Sequence, residues 1–341
     1  MSAAAANAPQ RIALIGLGTI GMSFTGLHLA RDNTTVDVFD TRPDFEQYLF
    51  DTLPHFLVQP EQQSGESPAD DVSTRQGAVR SLIDAGRLHI HTSLETACAS
   101  ATIIQEQGPE NLPFKQSLWA QVESIAPATA HFWTSTSGIP ASMQQAQLQD
   151  KTRLLVVHPF NPPHIMPLLE IVPSPETAAD RVDFVHGYFS VPGSKHRPVV
   201  IRKEIPGFVG NRLAFALLRE ACYLVKEDVV SVKDLDTILM ASLGPRWAGN
   251  GVFESYQQGG GPGGIGELLE KLGGTVQHVW DGLGQVNLLD EEGAEWKEKV
   301  VKQTNEAYGT LTAPQLREKE ERLKDFVRTQ SKTYGYDKSD A

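Results

Sequence analysis

Cysteine is nearly absent. Cys98 and Cys222 are the two in 341 residues, far apart and with no His or Cys at ligand spacing. That excludes a disulfide framework and a zinc site, predicts no metal, and fits a reducing, cytoplasmic setting. Basic charge is also in deficit: 30 Lys and Arg face 42 Asp and Glu, a net charge of −12. That disfavours the basic surface phosphate contacts need, while leaving room for a local basic pocket, and nucleic acid is not expected as a partner. No membrane-spanning run is present either. Residues 12–30 contain no Lys, Arg, Asp or Glu, but Gly16, Gly18, Gly21 and Gly26 interrupt them and the pattern turns from strand to helix. The opening MSAAAANAPQ has no base and no hydrophobic block, and reads as a loose terminus rather than a signal or transit peptide. The final DKSDA shows no address signal.

What is there is a globular chain with enough bulk for two domains. Ile12–Ile15 reads as a strand, Thr19–Ala30 as a helix after a glycine turn, and Val36–Asp40 as a second strand, a βαβ opening. Helical sequence follows at Asp44–Val58 and Ser73–Ala85, separated by the turn-rich insertion QPEQQSGESPADD. Strand-like runs recur at 88–90, 102–105, 130–134, 154–157, 168–172 and 199–201, mostly with helical sequence between them. This alternation predicts an α/β fold, a mostly parallel sheet covered by helices. At Ile205-Pro206-Gly207 the rhythm changes: Pro206 suits a helix's first turn, and an apolar-rich helix is expected over Phe208–Lys226. Further helices are expected at 232–242, 265–272, 291–308 and 314–332, the last a mixed-charge solvated face. The expected domains are thus 1–203, α/β, and 204–341, all-helical.

The first chemical motif is Gly16-Leu17-Gly18-Thr19-Ile20-Gly21, between a strand and a helix. Alone it is equally compatible with a tight glycine turn. Asp40, at the end of the next strand and 19 residues after Gly21, adds a carboxylate where an adenosine ribose would be held. The pair predicts a Rossmann-type dinucleotide site, with pyrophosphate at the helix N-terminus and NAD favoured over NADP, since Asp40 repels a ribose phosphate. Arg42, two residues on, leaves a route to NADP if Asp40 turns away.

The second constellation is Thr134-Ser135-Thr136-Ser137-Gly138, His158-Pro159-Phe160-Asn161-Pro162, Glu170, and Pro206-Gly207-Phe208-Val209-Gly210-Asn211-Arg212. Oxidising a secondary alcohol needs a base for the hydroxyl proton. His158 is the candidate, with Glu170 orienting it, and with Ser137 and Asn211 binding the substrate oxygen. The bland alternative is a core histidine and a helix-end asparagine. In order and spacing the set, with the glycine turn, resembles the 3-hydroxyacyl-CoA dehydrogenase family, from about residue 10 to 255. The resemblance implies that Gln105-Glu106-Gln107-Gly108-Pro109-Glu110-Asn111 and Lys115 line the nicotinamide side, with Glu106, Glu110, Lys115 and Ser137 as cofactor contacts. Ser135 departs from the Asn usual there.

Residues 243–248, LGPRWA, and 251–254, GVFE, resemble the lambda-crystallin branch, with its L-gulonate 3-dehydrogenase, and also carnitine 3-dehydrogenases. Arg246 would clamp a substrate carboxylate through paired hydrogen bonds; the alternative is a surface or interface salt bridge. Between Arg42 and Arg75 stand seven Asp or Glu and no Lys or Arg. In acyl-CoA enzymes this region resembles a lysine-bearing clamp, so an acidic version disfavours CoA. The run QQGGGPGGIG, 257–266, reads as a loop, either ordinary or covering the pocket. The expectation is an NAD-dependent dehydrogenase of a small free 3-hydroxy acid, L-gulonate-like, forming a homodimer through the apolar helix after Phe208. The alternatives are a 3-hydroxyacyl-CoA dehydrogenase or polyketide-type ketoreductase, and a non-catalytic, crystallin-like dinucleotide binder.

Overall fold

The computed structural model describes residues 8–57, 72–191, 194–289, 295–310 and 312–334. Two compact units, Met1–Asn211 and Arg212–Ala341, divide the chain, and the expected boundary near residue 203 lies just ahead of that division. In the first unit the order is β1 (Gln10–Ile15), α1 (Thr19–Leu29), β2 (Thr34–Phe39), α2 (Phe45–Thr52), α3 (Val72–Asp84), β3 (Leu88–Ile90), α4 (Leu94–Cys98), β4 (Ile103–Glu106) and α5 (Leu112–Ile125). It continues with β5 (His131–Thr134), α6 (Ala141–Gln144), β6 (Leu154–Pro159), β7 (Leu168–Pro173), α7 (Ala179–Phe189) and β8 (Arg197–Val200). The turn-rich insertion at 59–71 lies outside the described residues.

All eight strands form one sheet in the order β3-β2-β1-β4-β5-β6-β7-β8. The first six run parallel, β7 is antiparallel to β6, and β8 is parallel to β7. Strands buried on both faces read as apolar runs rather than alternations. Ile12 and Leu14 of β1 enter one core with Phe24, Leu49, Trp133 and Tyr188, while Ala13 and Ile15 enter the opposite core with Ile104, Trp119 and Phe132.

The chain leaves the sheet differently from the expectation. Pro206 does not begin a helix, because Gly207 and Phe208 take positive φ values of 74° and 51° and hold the backbone in a turn. A helix needs negative φ throughout, so α8 (Gly210–Lys226) begins two residues after Phe208. Phe208 bears its left-handed conformation with the ring fully buried.

Beyond Asn211 the described residues are helical: α9 (Val232–Ala241), α10 (Leu243–Gly249), α11 (Val252–Gly259), α12 (Gly264–Asp281), α13 (Glu295–Tyr308) and α14 (Ala313–Tyr334). The helices α10 and α11 were not expected, α12 runs past the expected end at residue 272, and residues 290–294 lie outside the description. The glycine-rich run is a compact corner rather than an open loop. A Cβ on Gly260 would meet the Gly264 carbonyl oxygen at 1.7 Å, and Gly264 has φ +60°, so only glycine lets α11 and α12 approach there. No helix among the described residues is long and apolar enough to cross a membrane.

Candidate active site

Strand register brings the motifs together along one edge of the sheet. Ile15 pairs with Phe39 and Glu106, and Glu106 pairs with Thr134. The residues that follow, Asp40, Gly16, Gln107 and Ser135, therefore stand in a row across the C-terminal ends of β2, β1, β4 and β5. Thr134 pairs with Val156, which puts His158 further along on β6, directly opposite Glu170 on the antiparallel β7. Ligands bind at such an edge in open α/β sheets.

The glycine turn fits a dinucleotide pyrophosphate. Gly16 has φ +89°, a Cβ on Gly21 would lie 2.1 Å from the Gly16 oxygen, and the space beside Gly18 is open. No side chain caps α1, and its first turn holds no acidic residue, so its amide N–H groups remain available to an anion. Gly18 and Thr19 are exposed and Ile20 faces the neighbouring pocket. Asp40 accepts the Leu17 N–H at 2.6 Å and the Arg42 N–H at 2.9 Å. Those bonds fix its carboxylate beside the turn with lone pairs left for a ribose. Arg42 is drawn aside, 3.4 Å from Asp44 and stacked 3.8 Å over the Tyr48 ring.

Within the first unit a pocket of about 380 Å³ is lined by Ile20, Gln107, Gly108, Glu110, Ser135, Thr136, Ser137, His158, Pro159, Phe160, Asn161 and Asn211. His158 sits with Nδ1 2.8 Å from Glu170 Oε2. Glu170 Oε1 accepts the N–H groups of Val209 and Gly210, each at 3.0 Å, at the N-terminus of α8. Burial pushes the Glu170 carboxyl upward, but the His158 hydrogen bond and the two amides outweigh it and hold it below the usual range. A carboxylate can only accept, so Nδ1 carries the proton and Nε2 keeps a lone pair for the pocket. Phe160 and Phe208 flank the imidazole, both with centroids at 5.5 Å.

Ser137 and Asn211 join this site: the Asn211 amide donates to the Ser137 carbonyl at 2.9 Å. The Ser137 hydroxyl donates to Glu110 at 3.0 Å, and Glu110 also accepts the Ser137 N–H and the Thr136 hydroxyl. Burial pushes Glu110 up, but the Ser137 amide, the two hydroxyls and Lys115 together hold it below the ordinary carboxylate range. Two expected cofactor contacts are placed elsewhere. Glu106 and Lys115 are fully buried and absent from the lining, and Lys115 donates to both Glu106 oxygens at 2.6 and 2.9 Å. Glu106 also accepts the Gly108 N–H and the Thr134 hydroxyl. A buried charge must be paired, and this pair shapes the 106–110 wall without forming its surface. Arg246 lies on α10 of the second unit, exposed and without an ion pair among the described residues.

Sequence reasoning missed Phe160 and Asn161 as lining residues, although both stand inside the His158 motif. It also missed His28 and Tyr188 behind Ser135, for which no motif gave a signal, although Gln105, which joins them to Ser135, stood in the segment expected to line the nicotinamide side.

Residues 11–205 match the 3-hydroxyacyl-CoA dehydrogenase NAD binding domain and residues 207–280 its C-terminal domain. The chain is 34% identical over 283 residues to L-carnitine dehydrogenase of Streptomyces coelicolor, covering 83% of each chain. It is 35% identical over 272 residues to 3-hydroxyacyl-CoA dehydrogenase of Gibberella moniliformis, covering 79% of each. The solved structure of FHMPC 5-dehydrogenase, described as an NAD+ dependent dismutase, aligns with a TM-score of 0.72 at 25% identity over 96% of this chain and 99% of that one. These matches set aside the expectation of a non-catalytic binder. An NAD-binding edge leading to a His–Glu pair on adjacent strands, matched by both domains of one enzyme family, makes the chain an NAD-dependent oxidoreductase acting on CH–OH that belongs to the 3-hydroxyacyl-CoA dehydrogenase family.

Proposed function

We propose that the substrate is a small free 3-hydroxy acid, oxidised at its 3-hydroxyl to the 3-oxo acid, with His158 as the base. The observation that carries the chemistry is the His158–Glu170 contact of 2.8 Å, with Nε2 directed to the pocket. Nε2 takes the hydroxyl proton while Glu170, anchored by two backbone amides, accepts Nδ1–H and stabilises the imidazolium. Ser137 and Asn211 hold the substrate oxygen. Asn211 keeps a second amide hydrogen for the oxygen that becomes a carbonyl, and the Ser137 hydroxyl, which donates to Glu110 without substrate, can turn its hydrogen to that oxygen instead. Bound NAD supplies the hydride acceptor.

Three observations support a free acid. Arg246 is exposed and has no ion pair among the described residues, in a segment similar to carnitine 3-dehydrogenases. The stretch after Arg42 is acidic and base-free, with Asp44, Glu46 and Asp51 in its described part and 58–71 outside it. Several relatives are named L-carnitine dehydrogenase, and L-carnitine is itself a free 3-hydroxy acid. That favours a carnitine-like substrate over the L-gulonate-like one. The second reading, a 3-hydroxyacyl-CoA substrate, is favoured by the relative of that name at 35% identity.

The deciding experiment follows NAD reduction with L-carnitine, L-gulonate, 3-hydroxybutyrate and 3-hydroxybutyryl-CoA, in wild type and Arg246→Met. A free acid should be preferred. The variant should lose about 1.5 to 3 kcal/mol toward carboxylate substrates, roughly 10- to 150-fold in kcat/KM, and little toward a neutral ester. Preference for the CoA ester, with Arg246→Met indifferent to substrate charge, replaces this reading with the second one.

A further inference from the structure

Behind the pocket wall runs a line of buried polar groups that the reaction does not use. The Tyr188 hydroxyl lies 2.9 Å from His28 Nδ1, and His28 Nε2 lies 2.9 Å from Gln105 Oε1. Gln105 Nε2 in turn donates to Ser135 Oγ at 3.1 Å. Tyr188, His28 and Gln105 are at most 1% exposed, whereas Ser135 is half-buried and lines the pocket.

The direction of this chain follows from counting protons. Gln105 Oε1 can only accept, so His28 Nε2 carries the hydrogen and Nδ1 accepts from the Tyr188 phenol. The opposite direction would need the Gln105 amide turned, with Nε2 toward His28 and Oε1 toward Ser135, whereas Oε1 faces His28 and Nε2 faces Ser135. The ionisation states agree. Burial lowers His28 to about 4, against the Gln105 hydrogen bond, with Arg31 and His196 adding to the fall. Burial likewise raises Tyr188 to about 12. Both shifts favour a neutral imidazole and a protonated phenol near neutral pH.

Ser135 is the end of the line. Its oxygen accepts from Gln105 and makes no other hydrogen bond among the described residues, so its own proton is turned outward. In the sheet-edge row it stands after Gly16 and Gln107 and before His158, between the pyrophosphate turn and the base, where the nicotinamide of a dinucleotide laid along this edge must sit. We infer that Tyr188, His28 and Gln105 are positioning residues that fix Ser135 as a hydrogen-bond donor, and that this hydroxyl holds the carboxamide oxygen of bound nicotinamide. The inference rests on the dinucleotide lying along the edge. It does not rest on the role of His158, which turnover tests separately.

The test is NADH binding to the full chain without substrate, by fluorescence titration, beside the thionicotinamide analogue, in which sulfur, a poor acceptor, replaces the carboxamide oxygen. Wild type should favour NADH. Ser135→Ala should bind NADH about threefold to tenfold more weakly, the range of one net hydrogen bond, with affinity for the analogue unchanged, and Ser135→Thr should restore the preference. Tyr188→Phe, remote from the pocket, frees the imidazole to take either tautomer and should reduce the preference for the oxygen compound. The inference is overturned if Ser135→Ala binds NADH like wild type or loses both compounds equally. A folded Tyr188→Phe that keeps the full preference also overturns it. Should Tyr188→Phe not fold, the carboxamide C=O stretch of bound NAD decides, by Raman difference between wild type and Ser135→Ala: a rise in the variant supports the inference and no change overturns it.

Discussion

His158 and Glu170 face each other across an antiparallel strand pair, so their separation is fixed by backbone register rather than by loop conformation. The imidazole should therefore be poised before substrate arrives. His158→Ala should lower kcat by about 10² to 10⁴, the usual share of a general base, with NADH affinity nearly intact. Glu170→Gln keeps the shape but offers no anion to Nδ1–H, and should also be slow. Near-normal turnover of His158→Ala removes this assignment. Asp40 decides the cofactor in the same local way: its charge stands beside the turn, and Arg42 is occupied by Asp44 and Tyr48. The ratio of kcat/KM for NAD over NADP should be well above one and should drop about tenfold or more in Asp40→Ala, the scale of a hydrogen bond to a charged group. A wild type that uses NADP equally well contradicts it.

Elements carry the pH dependence of stability. His131 opens β5 stacked on Phe184 of α7 at 3.9 Å, its Nδ1 buried without a hydrogen-bond partner among the described residues. Burial, with Arg181 and Arg153, lowers it to about 3; His196 is lowered to about 4 by burial, against a Pro163 carbonyl, and His28 likewise to about 4. These folded values lie below the unfolded value near 6.5, so in that window the unfolded chain binds more protons and stability falls as pH drops. Each histidine adds up to about 1.4 kcal/mol per pH unit. Melting temperature should therefore decline from pH 7 to pH 5, and His131→Phe should flatten the decline while changing little at pH 7.5. An identical slope in the variant argues against it. The strands were legible because burial on both faces leaves long apolar runs, and His158 and the glycine turn were legible because each lies in a short motif, with Glu170 marked by its spacing from His158 at the next strand. Helices α10 and α11 were not, since Gly244, Pro245, Gly249 and Gly259 to Gly261 look like breakers. Pro245 is tolerated in a first turn, where its missing N–H costs nothing. The line behind Ser135 joins residues 160, 77 and 30 positions apart, a distance that no local pattern spans.

At the scale of the whole molecule the two units differ in what they bury. Of the apolar side chains that are buried, Val225 and Trp296 alone belong to the described residues after Asn211. The same region leaves Leu213 64%, Phe215 60%, Ile238 58%, Met240 75%, Phe253 79% and Trp280 60% exposed. We propose that this apolar surface, too extensive to be stable in water, is a protein interface. The exposed residues of α8 include positions 213, 215, 217 and 218, more than one side of a helix, so a single covering layer would not hide them. The symmetric solution is a second copy of the chain, each supplying the same patch to the other and burying about 1,200 to 2,000 Å² or more. Light scattering on the eluted protein should give close to twice 37.3 kDa, and Phe215→Asp with Leu218→Asp should lower both the mass and the melting temperature. A wild type that stays at the monomer mass at tens of micromolar, with a cooperative melt, would mean that the helical unit is stable uncovered, and the homodimer would have to be given up.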